Sequence, residues 1–142
     1  MIKKQITFTD LLGEQHTEDF YFHITKAELM DMELESGGSF SERVQKLIDA
    51  KDYTELVKLF KDFIIKAYGE RTSDGRGFIK KPELTEAFVA SEAFSELYLE
   101  LASNTDAGAE FIKGIVPADV AAKAAEIEKE NNAPKLTEAS EN

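Results

Sequence analysis

Cysteine and tryptophan are absent from this 142-residue chain, and proline occurs only three times. Without cysteine there is no disulfide staple, no thiolate metal site and no cysteine nucleophile. Histidine is nearly as scarce. His16 falls near a predicted turn and His23 on the polar side of a predicted strand, neither with carboxylates at ligand spacing, so the sequence points to surface histidines rather than to a metal centre or an acid–base pair. No apolar run approaches the roughly eighteen residues of a membrane span. The start, Met1-Ile2-Lys3-Lys4-Gln5-Ile6, turns polar too early for a signal peptide, so the expectation is a cytoplasmic protein with no membrane partner.

Basic charge is also in short supply, with 17 Lys and Arg against 28 Asp and Glu and a net charge of −11. The field disfavours nucleic acid as a partner, because a phosphate backbone needs a dominant basic surface. The deficit is uneven: residues 1–50 carry −5, residues 51–81 carry +3 and residues 82–142 carry −9. Such a split suits self-association.

What is present is a core. The fraction of hydrophobic residues, 42% with ten Phe, is that of a globular domain. Leu56, Phe60, Phe63 and Ala67 share one helical stripe, widened by Leu59, Ile64 and Tyr68, and Phe94, Leu97, Tyr98 and Leu101 repeat the spacing. The two faces are expected to cover each other. Burying one large apolar side chain contributes about 1.5–3 kcal/mol, so this pair should dominate stability.

Ahead of them, Ile2, Ile6 and Phe8 alternate with polar residues, Asp10 to Gln15 reads as a turn, and Phe20, Phe22 and Ile24 alternate again, which predicts a β-hairpin over 1–24. A lone hairpin is marginal and must pack on helices or add to another chain. Thr25-Lys26-Ala27-Glu28 has the spacing of a capping box, with Ile24 and Leu29 placed as a hydrophobic staple, and Gly37-Gly38 ends that helix. Ser39-Phe40-Ser41-Glu42 is a second box, opening a helix with Phe40, Val44, Leu47 and Ile48 on one side, and Asp52 caps the central helix, which Gly69 should stop. Pro82 opens a short helix holding Leu84, Ala87 and Phe88, Ser91 caps the next, and Asp106 caps a short turn of helix closed by Gly114.

The sequence thus predicts a mostly α (α+β) fold: a multi-helix domain over 1–117, an Ala-rich helical extension over 118–130 and a flexible acidic, polar tail over 131–142. The extension offers only Val120, Ala124 and Ile127 as a thin apolar seam. That seam, with Tyr21 and His23 on the hairpin edge, forms the candidate partner-binding set.

Chemical motifs are weak. In the segment Thr72 to Glu83, Gly77, Ile79 and Glu83 fall at the sixth, eighth and twelfth positions of a calcium loop, but Arg76 takes a ligand position and supplies a cation instead of an oxygen. A glycine-containing turn that seats Phe78 and Ile79 in the core is the better reading. Gly75-Arg76-Gly77 lacks the Lys-Ser/Thr ending and the leading strand of a phosphate loop. Glu83, Glu86, Glu92, Glu96 and Glu100 fall on solvent faces, where nothing tunes a carboxylate for catalysis. No catalytic set, cofactor site or metal site is expected.

Four blocks carry a family likeness: Phe20 to Leu29, Ala67 to Lys80, Ser91 to Leu97 and Phe111 to Pro117. In their order and spacing the chain resembles the tail assembly chaperones of long-tailed (siphovirus-type) bacteriophages and prophages. The resemblance implies a non-enzymatic helper in the host bacterial cytoplasm, absent from the mature virion, which binds the tape measure protein and the tail tube protein. It also implies, in many members, a longer frameshifted product. Two rival readings differ in class. An acidic inhibitor that mimics DNA would use the −9 segment against a host nucleic-acid enzyme and release it steeply with salt, whereas a structural tail or connector component would be found in virions.

Overall fold

The strands form first by alternation. β1 (Ile2–Thr9) and β2 (Gln15–Phe22) pair antiparallel from Ile2 opposite Phe22 to Thr9 opposite Gln15. The hairpin is longer than alternation predicts. Its turn closes at Glu14 and β2 begins with the polar run Gln15-His16-Thr17-Glu18, which carries no apolar signal. β2 stops at Phe22, and Ile24 lies beyond it, fully buried.

A computed structural model describes residues 1–117, and within them the sheet has four strands in the order β1-β2-β3-β4. The additional strands are β3 (Tyr68–Arg71) and β4 (Phe78–Ile79), both inside the segment that the sequence assigns to a loop. Gly69 therefore is not a helix stop. It sits in β3, where a Cβ would lie 2.5 Å from the Ile79 carbonyl oxygen and 2.5 Å from the Phe78 ring, so only hydrogen fits. The expectations for 118–130 and 131–142, with Val120, Ala124 and Ile127, lie outside the described residues.

Among the described residues, six helices follow from local signals. α1 (Lys26–Ser36) starts at the Thr25–Glu28 capping box and ends with Gly37 in the left-handed region at φ 77°, its N–H donating to the Glu33 carbonyl. α2 (Phe40–Asp49) starts at Ser39, whose hydroxyl accepts the Glu42 N–H, and α3 (Tyr53–Ala67) starts at Asp52, which accepts the Glu55 N–H. α4 (Pro82–Val89) carries Pro82 in its first turn, where a missing N–H costs nothing, and α5 (Glu92–Ser103) is capped by Ser91. α6 (Thr105–Ile115) corrects the sequence reading twice. Asn104, not Asp106, caps it by accepting the Ala107 N–H, and Gly114 lies within it, close to the Ile2 side chain, instead of closing it.

The central stripe is buried as predicted, with Leu56, Phe60, Phe63, Ile64 and Ala67 in the core and Leu97 and Leu101 beside them. Its partners differ from expectation. α3 packs on α2, α5 and α6 together, while α5 also lies against β1. Periodicity says which face is apolar, not what covers it. Within α4 only Phe88 is buried, and Ala87 is exposed.

Phe88 ties sheet to helices. Its ring stacks on Tyr68 with centroids 4.0 Å apart, meets Phe20 at 5.5 Å and Phe22 at 5.8 Å, and touches Phe94 of α5 at 5.5 Å. Phe22, fully buried, reaches on to Phe111 of α6 at 5.8 Å. Removing a buried Phe ring leaves a cavity as well as losing transfer energy, so Phe88→Ala should destabilise the fold by about 3–5 kcal/mol. Urea unfolding checks this. A loss below about 1 kcal/mol would show that the aromatic cluster is not the joint between the layers.

Candidate functional site

The two candidate residues within the described chain lie on the face of the sheet away from the helices. Odd-numbered residues of the hairpin point there: Lys3, Gln5 and Thr7 from β1, Thr17, Asp19 and Tyr21 from β2. Most of this face is polar, with the Thr7 and Thr17 hydroxyls 2.9 Å apart and Lys3 3.9 Å from Asp19. At its β3 end it turns aromatic. Tyr21 stands opposite Gly69, with the Arg71 guanidinium 5.9 Å from the centre of its ring.

His23, expected on the polar face of a strand, lies just past β2 and is half-buried. Its N–H donates to the Ala67 carbonyl at 2.8 Å, and its ring meets Phe78 edge-on at 5.6 Å. Nδ1 is buried without a hydrogen-bond partner among the described residues. Burial pushes the imidazole pKa down, the N-terminal ammonium and Lys80 add to that, and Glu28 opposes them. Lys80 is itself held 2.7 Å from Glu28, whose second oxygen accepts the Thr25 N–H. Tyr21 and His23 thus border one aromatic patch, Tyr21-Arg71-Phe78-His23, assembled across three strands over Gly69.

The other histidine is also not isolated. His16 Nε2 lies 2.6 Å from Asp10 Oδ2, and the ligand atoms of Asp10, Glu14 and His16 fall within 4.8 Å of one another, although the linear spacing gave no sign of it. The cluster locks the hairpin turn: Asp10 Oδ1 accepts the N–H groups of both Leu12 and Glu14, and His16 stacks on Phe8. The hydrogen bond to Asp10 raises the His16 pKa, and the same bond, with the Glu14 N–H, lowers that of Asp10. The locked turn holds up two leucines. Leu11 is 91% exposed and Leu12 88%.

One carboxylate that the sequence reading did not single out is buried. Glu33 shares the Leu29 stripe of α1 and is 2% exposed, its Oε2 accepting the Phe40 N–H at 3.1 Å. Burial raises its pKa, although the Phe40 N–H pulls the other way. The bond fastens the end of α1 to the start of α2, beside a groove of about 760 Å³ floored by Met32, Phe40, Leu59 and Phe63 and edged by Arg43 and Asp62. Its walls come from three helices, so no single stripe announces it.

In the Thr72–Gly77 turn, the Thr72 hydroxyl lies 2.7 Å from Asp74 and accepts the Gly77 N–H, while Asp74 accepts the Arg76 N–H. These bonds hold the Asp74 pKa down. Phe78 and Ile79 leave the turn half-buried, one on each face of the sheet. Taken together, the site offers surfaces: an apolar tip, an aromatic patch, a helical groove and open strand edges. Among the described residues, no helix is long and apolar enough to cross a membrane.

Over residues 1–142 the chain matches the family described as phage tail assembly chaperone. No curated protein and no solved structure matches it.

The two histidines should bend the stability curve in opposite directions. The folded pKa of His23 lies below its ordinary value of 6.5, so acidification protonates the unfolded chain first and stability is lost as pH falls through that range. The folded pKa of His16 lies above 6.5, so its contribution is complete at lower pH and fades as pH rises through the raised value. In urea titrations from about pH 5 to 8, His23→Gln should flatten the acid limb and His16→Gln the alkaline limb. The reverse pattern would contradict both environments.

Proposed function

Because the chain belongs to the phage tail assembly chaperone family, we propose that it is a non-enzymatic morphogenesis factor that binds the tape measure protein and assists tail tube assembly. It acts in the host bacterial cytoplasm and is left out of the mature virion. The observation that supports client binding most directly is the hairpin tip. Two leucines exposed by 91% and 88% would be an unexplained liability on an isolated protein, and here a hydrogen-bonded turn fixes the backbone that presents them. A turn backbone that is already fixed has less entropy to lose on binding, and apolar anchors concentrate binding energy.

The test is co-expression with the tape measure protein of the same genome. The client should become soluble and copurify, and the complex should survive raised salt because its contacts are apolar. Leu11→Ser combined with Leu12→Ser should keep the unfolding midpoint, since neither side chain is packed, and cut client recovery by roughly tenfold or more. Unchanged recovery would remove the tip from the interface, and a complex that dissolves steeply with salt would favour an acidic inhibitor of a basic host enzyme.

Tyr21 and His23 supply a further partner contact in this reading, and so does the seam Val120, Ala124 and Ile127, which also serves self-association. Truncation after Pro117 should leave the unfolding midpoint of the domain intact and weaken client recovery or oligomerisation. Full retention of both would take the seam out of the proposal.

A further inference from the structure

Backbone hydrogen bonds fix which way each residue of the hairpin turns its N–H and C=O. Asp10 N–H donates to the Glu14 carbonyl, so the bonded pairs across β1 and β2 are the even-numbered ones, Phe8 with His16, Ile6 with Glu18, Lys4 with Phe20. On the other side of β2, His23 N–H donates to Ala67, which sets the odd residues toward β3. Two independent bonds give the same phase. β3, however, pairs only with Tyr21 and Phe22 before turning off to β4. Thr17 and Asp19 therefore turn their backbone groups toward the β3 side, beyond the last residue of β2 that β3 pairs with.

On that side lies a notch of about 570 Å³ between the diverging strands. Phe20 and Tyr68, both half-buried, form its apolar floor. The charged groups lining it are Glu18, Asp19 and Glu70 against Arg71, which already lies over Tyr21. Asp19 also faces Lys3 of β1 at 3.9 Å, which leaves Glu18 and Glu70 as the uncompensated carboxylates among the described residues. Burial raises the Tyr68 phenol, and Glu70 and Glu18 raise it further, which places their negative field at the floor.

The second open edge differs in chemistry. The outward edge of β1 carries Lys3 beside Lys4, and lysine on an edge strand is a common guard against pairing. The β2 edge over Gln15–Phe20 has no lysine.

We propose that the notch between β2 and β3 takes an extended segment of a partner protein, bearing Lys or Arg beside apolar residues, as an added strand on β2. Main-chain bonds from Thr17 and Asp19 supply affinity, while Phe20 and Tyr68 with Glu18 and Glu70 select the side chains. The open edge accommodates about five or six residues at about 3.4 Å each. The inference rests on the chaperone reading for the nature of the partner, but not for the edge itself.

The probe is a labelled, end-capped Lys-Val alternating hexapeptide, with a Glu-Val hexapeptide as its opposite. The basic peptide should bind at low salt, and hydrogen exchange should slow at the amides of Thr17 and Asp19. Asp19→Pro is informative because that N–H points away from β1, so no hairpin bond is lost while the added strand is blocked. Its affinity should fall by roughly tenfold or more. Glu18→Lys with Glu70→Lys leaves the backbone intact and should switch preference to the acidic peptide. Slowed exchange at Gln5 and Thr7 instead, no binding of the basic peptide, or equal affinity in both variants would overturn the proposal. Co-expression separates the two readings. A client solubilised equally by wild type and Asp19→Pro removes the notch from client binding and leaves the chaperone reading, whereas a client solubilised by neither removes that reading even where the peptide binds.

Discussion

The stack of Phe88 on Tyr68 is the contact on which the rest of the structure depends. Among the described residues, a four-stranded sheet with one strand of two residues cannot stand alone, and six helices of 8 to 15 residues have little stability in isolation. Each needs a partner that covers its apolar face. Phe88 joins β2, β3 and α5 through its contacts with Phe20, Phe22, Tyr68 and Phe94, and Phe22 carries the cluster to α6. Because the covered face is spent on this cluster, the opposite face of the sheet and the edges of its hairpin stay available.

Signals confined to a few adjacent residues were legible in the sequence. The caps at Thr25, Ser39, Asp52 and Ser91 lie where their spacing puts them, because a cap is satisfied within one turn. β3 and β4 were not legible, since four and two residues are too few to show alternation and their existence depends on pairing with a distant strand. Gly69 shows the same limit. As a residue it signals a helix end, and only the approach of Phe78 and Ile79 reveals why no side chain is tolerated.

The candidate site divides in the same way. Tyr21 was legible as a residue on the outward face of a strand, and Arg71, which lies against it, was not. His16 and Asp10 meet only because the hairpin turn folds back, so their ion pair has no linear signature. Glu33 did leave a trace, four residues after Leu29 on the same stripe, where a carboxylate among apolar positions signals a buried acceptor in search of a donor. The free N–H of Phe40 at the start of α2 is that donor.

Open strand edges and exposed leucines favour aggregation, and charge is what can oppose it. At −11 two copies repel at long range, but that field decays over about 8–10 Å in cellular salt, so protection at contact has to be local. Glu18, Asp19 and Glu70 supply it at the β2 notch, because juxtaposing two such edges would bring six carboxylates together against two guanidiniums and the two Lys3 ammoniums beside Asp19. The same crowding that opposes a second copy favours a basic strand, so one set of charges separates pairing with itself from pairing with a partner. On β1 the guard is lysine, of opposite sign, with Lys3 facing Asp19 at 3.9 Å and Lys4 facing Glu100 at 3.1 Å in the same chain. The two edges are therefore not equivalent: the notch keeps Glu18 and Glu70 uncompensated and so discourages pairing with its own kind, whereas the charges of the β1 edge are balanced within the chain.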